Sequence, residues 1–287
     1  MPDLAVIMGA TGGLGSAIVD AFASRGDRVI AVARSRAEVS QLAAKYPIAP
    51  SPSGGGQGGG IMTDLAVIMG ATGALGTAIV DAFAGRGDRV IAVARSRSDV
   101  SRLASKYAGV VTGDTADLTS RLEVDELWER IDRVGIPRWV VNATGGYRAG
   151  KVVDSTPDDF TFMMDLNLGT AWWSCRAAAR RMQSGAIVNV SSRSGLVAEP
   201  GAAAYAVAKA GVITLTKVLA AELKSSGVRV NAIVPAVIDT PANRQALPEK
   251  LMQKAVAPAE IAAVIAYLCS DAAAAITGAA VPVYGKY

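Results

Sequence analysis

Histidine is absent from the 287 residues, and there are only two cysteines, Cys175 and Cys269. The lack of histidine excludes a Ser-His-Asp hydrolase, and two isolated cysteines leave no zinc-ligand set, so no metal is expected. Both cysteines sit in apolar, helical contexts and read as reduced core residues of a cytoplasmic protein. Aromatic residues make up 5% of the chain and no long Lys/Arg run occurs. The net charge of +4 therefore does not point to a nucleic-acid partner. No uninterrupted apolar stretch of about 20 residues offers a membrane span. Near the start, Asp3 stands where a signal peptide carries basic residues. The short apolar run after it enters a Gly-rich turn, so it reads as a strand. What the chain has is apolar mass: 51% hydrophobic residues, ample for a large core.

It also repeats itself. Residues 3–46 recur at 64–107, and only seven of the 44 paired positions differ: Gly13/Ala74, Ser16/Thr77, Ser24/Gly85, Ala37/Ser98, Glu38/Asp99, Gln41/Arg102 and Ala44/Ser105. Two occurrences are a duplication and not a solenoid. Three segments follow: a duplicated βαβ unit at 1–46, a Pro/Ser/Gly-rich linker at 47–61, and a domain at 62–287. The linker has a semi-stiff Pro/Ser start and a flexible glycine end, and as a coil spans roughly 20 Å.

From Leu65 onward, apolar strands alternate with amphipathic helices. Strands are expected at 65–69, 90–93, 110–111, 139–143, 186–190, 228–234 and 280–284. Helices are expected at 77–86, 122–134, 158–182, 205–224 and 259–269. Continuous apolar runs such as Leu65–Met69 suit strands covered on both faces. The expected fold is α/β: a Rossmann-type, doubly wound parallel sheet of seven strands with helices on both faces, plus the extra N-terminal βαβ copy. Ligands of such sheets sit at the carboxyl ends of the strands, near the switch in strand order.

Gly70, Gly73 and Gly76 lie between the first strand of this domain and its helix. Glycines let the backbone turn tightly and approach a ligand, and the helix aims free N–H groups at a pyrophosphate. The strand–turn–helix context makes this a dinucleotide site. The second strand ends in Ala94-Arg95-Ser96-Arg97, with no carboxylate to bind a ribose diol. Arg95 and Arg97 fit a 2′-phosphate, so NADP is preferred over NAD. Further on, Tyr205 and Lys209 stand four apart in Ala202-Ala-Ala-Tyr-Ala-Val-Ala-Lys209, on one face of a helix. An ammonium near a phenol is expected to lower the phenol's pKa and make it a usable general acid.

These motifs come in an order that resembles the short-chain dehydrogenase/reductase family over 62–287. The matching stretches are the glycine turn at 70–76, Asp117-Leu118, Asn142-Ala-Thr-Gly145, Asn167, Val190-Ser-Ser192, Tyr205-x-x-x-Lys209, Asn231 with Pro235, and Ile238-Asp-Thr240-Pro241. The resemblance implies a catalytic set of Asn167, Ser192, Tyr205 and Lys209. Tyr205 would give the proton, Ser192 would hold the carbonyl oxygen, and Asn167 would help hold a relay water. Lys209 would tune the tyrosine and bind the nicotinamide ribose. The implied cofactor contacts are Gly70, Thr72, Gly73, Leu75, Gly76, Arg95, Arg97, Asp117, Leu118, Asn142, Ala143, Tyr205, Lys209, Pro235, Ile238 and Thr240. The implied activity is hydride transfer between NADP and a small carbonyl or alcohol substrate, in a homodimer or homotetramer. Segments 146–151, 193–200 and 241–254 would line the substrate pocket.

Ala74 and Pro235-Ala236 depart from the usual glycines, and Val141-Asn-Ala-Thr-Gly145 from the usual Asn-Asn-Ala-Gly. Several stretches, including Gly73-Ala-Leu-Gly76 and Pro282-Val-Tyr-Gly285, resemble the dihydropteridine reductase branch. Ser192 and Arg95 argue against simple identity with it, so a pterin or quinone reductase is an alternative. A non-catalytic NADP-binding scaffold is the alternative from another class.

The second copy runs directly into the third strand, so it is expected to form the sheet. The competing arrangement lets either copy occupy that place. A protein beginning at Met62 is expected to fold and to bind NADPH. Loss of soluble folding or of NADPH binding on deleting 1–61 would show that the first copy belongs to the working fold.

Overall fold

The computed structural model describes residues 4–8, 19, 28–32 and 64–286. The chain divides into two compact units, Met1–Ile61 and Met62–Tyr287. In the first unit β1 (Leu4–Met8) pairs parallel with β2 (Arg28–Val32), Leu4 opposite Arg28 and Met8 opposite Val32. The helix expected between them lies outside the described residues apart from Val19, and so does the linker.

In the second unit β3 (Leu65–Met69) leads into α1 (Ala74–Gly85) and β4 (Arg89–Ala94). Next come α2 (Arg97–Ser105), β5 (Val111–Thr115), α3 (Arg121–Asp132) and β6 (Trp139–Asn142). Then follow α4 (Pro157–Met164), a π-helical turn at Asp165–Gly169, α5 (Thr170–Ala179) and β7 (Gly185–Val190). The chain closes with α6 (Ala203–Glu222), β8 (Val228–Pro235), α7 (Pro241–Ala246), α8 (Glu249–Met252), α9 (Pro258–Leu268) and β9 (Ala280–Val283). The seven strands form one parallel sheet in the order β5-β4-β3-β6-β7-β8-β9. The order reverses between β3 and β6, which opens a crevice at their carboxyl ends.

Alternation along each strand sends side chains to two cores. Ala66 and Ile68 pack with Leu75, Ile79 and Phe83 of α1 and Ile261, Ile265 and Leu268 of α9. Leu65, Val67 and Met69 pack with Leu127, Trp128 and Ile131 of α3 and with Cys175 and Leu219 on the other face. Helix starts carry their own caps. Ser96, Ser120, Thr156 and Thr240 each accept a backbone N–H three residues on.

Two elements differ from the sequence expectation. The strand expected at 110–111 runs Val111–Thr115. It is an edge strand paired only with β4, so Thr-Gly-Asp-Thr is tolerated there without apolar alternation. Gly113 lets α2 lie close: a Cβ there would sit 2.1 Å from Cγ1 of Val100. Asp114 is held by Arg130 at 3.0 Å. The single helix expected over 158–182 is broken by the π-helical turn. Helix α6 is long and apolar enough to cross a bilayer by composition, with a mean hydropathy of 1.4 in its best window. Its buried side carries Val212, Ile213 and Leu219 together with the polar Lys209 and Thr216, while Val207 and Val218 are exposed.

Candidate active site

The crevice at the strand ends is a cleft of about 300 Å³. It is lined by residues from the glycine turn, the loop after β6, the π-helical turn, the end of β7, α6 and the segment after β8. Gly73, Leu75, Gly76, Ala143, Asn167, Ser192, Tyr205, Lys209, Pro235, Ile238 and Thr240 of the expected set all line it.

The glycine turn is built for close approach. Gly70 has φ +80°, and a Cβ on it would meet the Thr144 backbone N at 2.9 Å. A Cβ on Gly76 would come within 2.0 Å of the Gly70 carbonyl oxygen. Only glycine permits either contact. No side chain caps the N-terminus of α1, so its first N–H groups remain available to an anion. The Thr144 hydroxyl beside this turn is buried with no hydrogen-bond partner. A turn this tight, an uncapped helix start and an orphan hydroxyl fit a dinucleotide's phosphates and ribose.

Asn167 is 1% exposed, because the π-helical turn swings it inward. Its Nδ2 donates to the Met163 carbonyl at 3.1 Å, and its Oδ1 accepts from the Gly146 N–H at 3.2 Å. The side chain therefore holds the Gly145–Gly146 turn. Ser192 follows β7, accepts from the Ser194 N–H at 3.3 Å, and acts on the Tyr205 phenol to lower its pKa. Lys209 Nζ donates to the Val190 carbonyl at 3.0 Å. Ser191 Oγ donates to the Lys209 carbonyl at 2.8 Å, tying α6 to β7.

The electrostatics correct one expectation. Lys209 does not lower the Tyr205 pKa in this cleft. Burial pushes the phenol up, against the lowering effect of the Ser192 hydrogen bond, and Tyr147 adds to the rise. The ammonium lies 5.8 Å from the Tyr205 ring centroid and spends its bond on Val190. Lys209 itself is pushed down to about 8 by burial.

Other expected residues are placed elsewhere. Asn142 does not face the cleft: its Nδ2 donates to Asn189 Oδ1 at 2.8 Å and to Cys175 Sγ at 3.4 Å. Alternation is the reason, since Val140 and Asn142 point to the α5 side of the sheet and Trp139 and Val141 to the other. Leu118 is likewise a core side chain, 4% exposed among the α3 residues. Gly70 and Thr72 support the turn without lining the cleft. Arg95, Arg97 and Asp117 stand beyond it, at the ends of β4 and β5. The Asp117 carboxyl is held below its usual range by Thr119 hydrogen bonds, and further by the charge of Arg95. Arg95 and Arg97 are exposed.

The cleft also takes in Thr144, Gly145, Gly146, Tyr147, Ala236 and Asn243. Asn243 was legible as the third helical residue after the Thr240 cap: its N–H donates to Thr240 Oγ1, and its Nδ2 to the Ile238 carbonyl at 2.8 Å. Gly146 and Tyr147 belong to the segment 146–151, and Asn243 to the segment 241–254, expected to line the substrate pocket.

A family model described as enoyl-(acyl carrier protein) reductase matches residues 70–285. Galactitol 2-dehydrogenase of Rhizobium johnstonii is 36% identical over 237 residues, covering 76% of this chain and 92% of that protein. The 3-oxoacyl-[acyl-carrier-protein] reductase of Thermotoga maritima is 32% identical over 235 residues, covering 76% and 95%. The crystal structure of a candidate gluconate dehydrogenase from Agrobacterium tumefaciens superposes with a TM-score of 0.74 at 25% identity, covering 78% of this chain and 96% of that one.

The depressed Lys209 pKa has a stability consequence. Between about 8 and the ordinary 10.5 the unfolded chain binds the proton more readily, so stability rises with pH there. Below about 8 the full penalty stays, on the order of 3 kcal/mol. Lys209→Met is expected to unfold at a higher temperature than wild type at pH 7, with the gap closing by pH 10. Calorimetry of both proteins checks this, and a gap that does not change with pH would contradict it.

Proposed function

The chain belongs to the short-chain dehydrogenase/reductase family, and we propose that it is an NADP-dependent oxidoreductase interconverting a carbonyl and an alcohol. Proteins of this family use nicotinamide cofactors. The observation that carries the reading is the meeting of Ser192, Tyr205 and Lys209 with the glycine turn in one cleft.

The dinucleotide's phosphates would lie on the turn at Gly70–Gly76 and the start of α1, with the nicotinamide end towards Pro235, Ile238 and Thr240. NADPH supplies the hydride that goes to the carbonyl carbon. The Tyr205 hydroxyl gives the proton to the carbonyl oxygen, which leaves an alcohol and a tyrosinate that solvent reprotonates. Burial keeps the Tyr205 phenol protonated at neutral pH, the form that reduction needs. The Ser192 hydroxyl, in the same cleft as Tyr205, holds the same carbonyl oxygen. Lys209 sets a positive charge beneath the site, and Asn167 keeps the Gly145–Gly146 turn on top of it. In the reverse direction Tyr205 takes the proton from the alcohol.

Arg95 and Arg97 support NADP over NAD as exposed cations at the end of β4, with no carboxylate on that strand end. Residues 62–287 form the catalytic domain in this reading. Exposed Phe160, Phe162 and Trp172 on α4 and α5, with Val207 and Val218 on α6, support a homodimer or homotetramer. The unpaired, buried Cys175 and Cys269 are in keeping with a cytoplasmic protein.

Tyr205→Phe is expected to lower kcat about 10²–10⁴-fold while NADPH binding, read by nicotinamide fluorescence, stays within a few-fold. Full turnover by this variant would remove Tyr205 as the proton donor. Tight NADPH binding without turnover across ketones, quinones and quinonoid pterins would favour a scaffold instead.

Replacing Arg95 and Arg97 together by Ala is expected to raise KM for NADPH about tenfold or more, with little change for NADH. A wild type that uses NADH as well as NADPH would overturn the cofactor assignment.

A further inference from the structure

Tyr147 is 64% exposed, yet it is held in place. Before it, Gly145 and Gly146 press onto the catalytic floor: a Cβ at 145 would lie 2.8 Å from Asn167 Oδ1 and 3.1 Å from Lys209 Nζ, and one at 146 would lie 2.8 Å from Leu166. After it, Arg148 is clamped to α4 by an ion pair with Asp159 at 2.5 Å and lies over the Phe162 ring at 4.4 Å. Both flanks fix the backbone, and the ring stands edge-on to Tyr205 with centroids 5.1 Å apart and planes at 80°. A carbonyl whose oxygen meets the Tyr205 and Ser192 hydroxyls can therefore set a substituent against this ring.

The charge of the cleft is the second observation. Lys209 is the one charged side chain among its lining residues, and its ammonium is buried on the Val190 carbonyl. The cations nearest in sequence to the lining segments are committed: Arg244 to Asp239 at 2.5 and 2.7 Å, and Arg193 to Glu199. The lining therefore offers a carboxylate beside the reacting carbon no cation that is not already bonded, while Tyr147 presents an aromatic ring.

We propose that Tyr147 is the substrate-selecting wall of the cleft, and that the substrate is an uncharged carbonyl compound with a flat, apolar group next to the carbonyl. This rests on the oxidoreductase reading and narrows it. An aryl group placed against Tyr147 gains an aromatic contact that an alkyl chain does not, which corresponds to about tenfold in affinity.

The test compares aryl methyl ketones, alkyl methyl ketones and 3-oxo acids as substrates with NADPH, for wild type, Tyr147→Ala and Tyr147→Phe. The expected wild-type order of kcat/KM is aryl ketone, then alkyl ketone, then oxo acid. Tyr147→Ala is expected to raise KM for the aryl ketone about tenfold, more than for the alkyl ketone, with a smaller effect on kcat. Tyr147→Phe is expected to retain the preference. An oxo acid preferred over the aryl ketone, or a preference unchanged in Tyr147→Ala, overturns the proposal. Saturation-transfer NMR of the same ketones reads binding without turnover. Aryl-ketone binding that depends on Tyr147 but is never followed by reduction would keep the wall and sink the oxidoreductase reading. Absence of binding, or equal binding to wild type and Tyr147→Ala, would sink the wall itself.

Discussion

The second unit is arranged around an ammonium that water cannot reach. Lys209 is 3% exposed, and its Nζ is bonded to the Val190 carbonyl. Holding a charge there is costly, and the pKa falls to about 8 for that reason. The neighbours are small because the lysine needs the space. A Cβ at Gly145 would crowd Nζ, and one at Gly195 would lie 2.8 Å from the Lys209 carbonyl carbon. Ser191 takes up the Lys209 carbonyl, and Asn167 closes the roof through Gly146. A globular protein with no use for this charge would replace it with an apolar side chain. Its retention at the bottom of a cleft is the mark of a site.

Sheet topology explains why these groups meet. In a parallel sheet all strands deliver their carboxyl ends to the same edge, and the reversal between β3 and β6 leaves that edge open. The glycine turn comes from one side of the reversal, and the Val190–Ser192 stretch and α6 from the other. Beneath the cleft a polar seam locks the two halves. Asn142 and Asn189 are partners in the β6–β7 ladder and hydrogen-bond each other at 2.8 Å. Asn189 continues to Thr216 of α6 at 3.0 Å. A buried seam of this kind is stiff because every slip of register leaves a polar group unpaired. The spacing between Ser192, just after β7, and Tyr205 on α6 is inherited from it.

Much of this was legible in residue order. Apolar runs bounded by glycines located the seven strands, and the four-residue spacing of Tyr205 and Lys209 put both on one helix face. What was not legible depended on phase or on distance. Asn142 belongs to a motif that reads as cofactor-facing, but strand alternation turns it to the α5 side. Leu118 points into the core for the same kind of reason. The π-helical turn has no periodicity signal in Asp165-Leu-Asn-Leu-Gly169, yet it is what buries Asn167. The direction of the Tyr205 pKa shift is set first by the burial of the phenol, which helical spacing cannot report. Tyr147 falls in the segment 146–151 expected to line the substrate pocket, but its edge-on contact with Tyr205 was not legible, because a single aromatic in a loop has no periodicity to give its direction.

The duplicated segment separates local instruction from the site. Its strands pair in the same register as the originals, Leu4 with Arg28 as Leu65 with Arg89. The same local sequence gives the same local pairing. It also repeats Gly9, Gly12 and Gly15 of the turn and Arg34 and Arg36 after the second strand. The repeated sequence stops at Tyr46, before any counterpart of Asn142, Asn167, Ser192, Tyr205 or Lys209. The copy thus repeats the glycine turn and the two arginines and none of the cleft residues contributed by β6, β7 and α6. In the second unit those residues lie up to 102 residues beyond the repeat's end at Tyr107 if counted to Lys209. The cleft of the second unit is a property of the topological reversal between β3 and β6. A segment whose sequence repeats one side of that reversal does not by itself make the cleft, however faithfully it is copied.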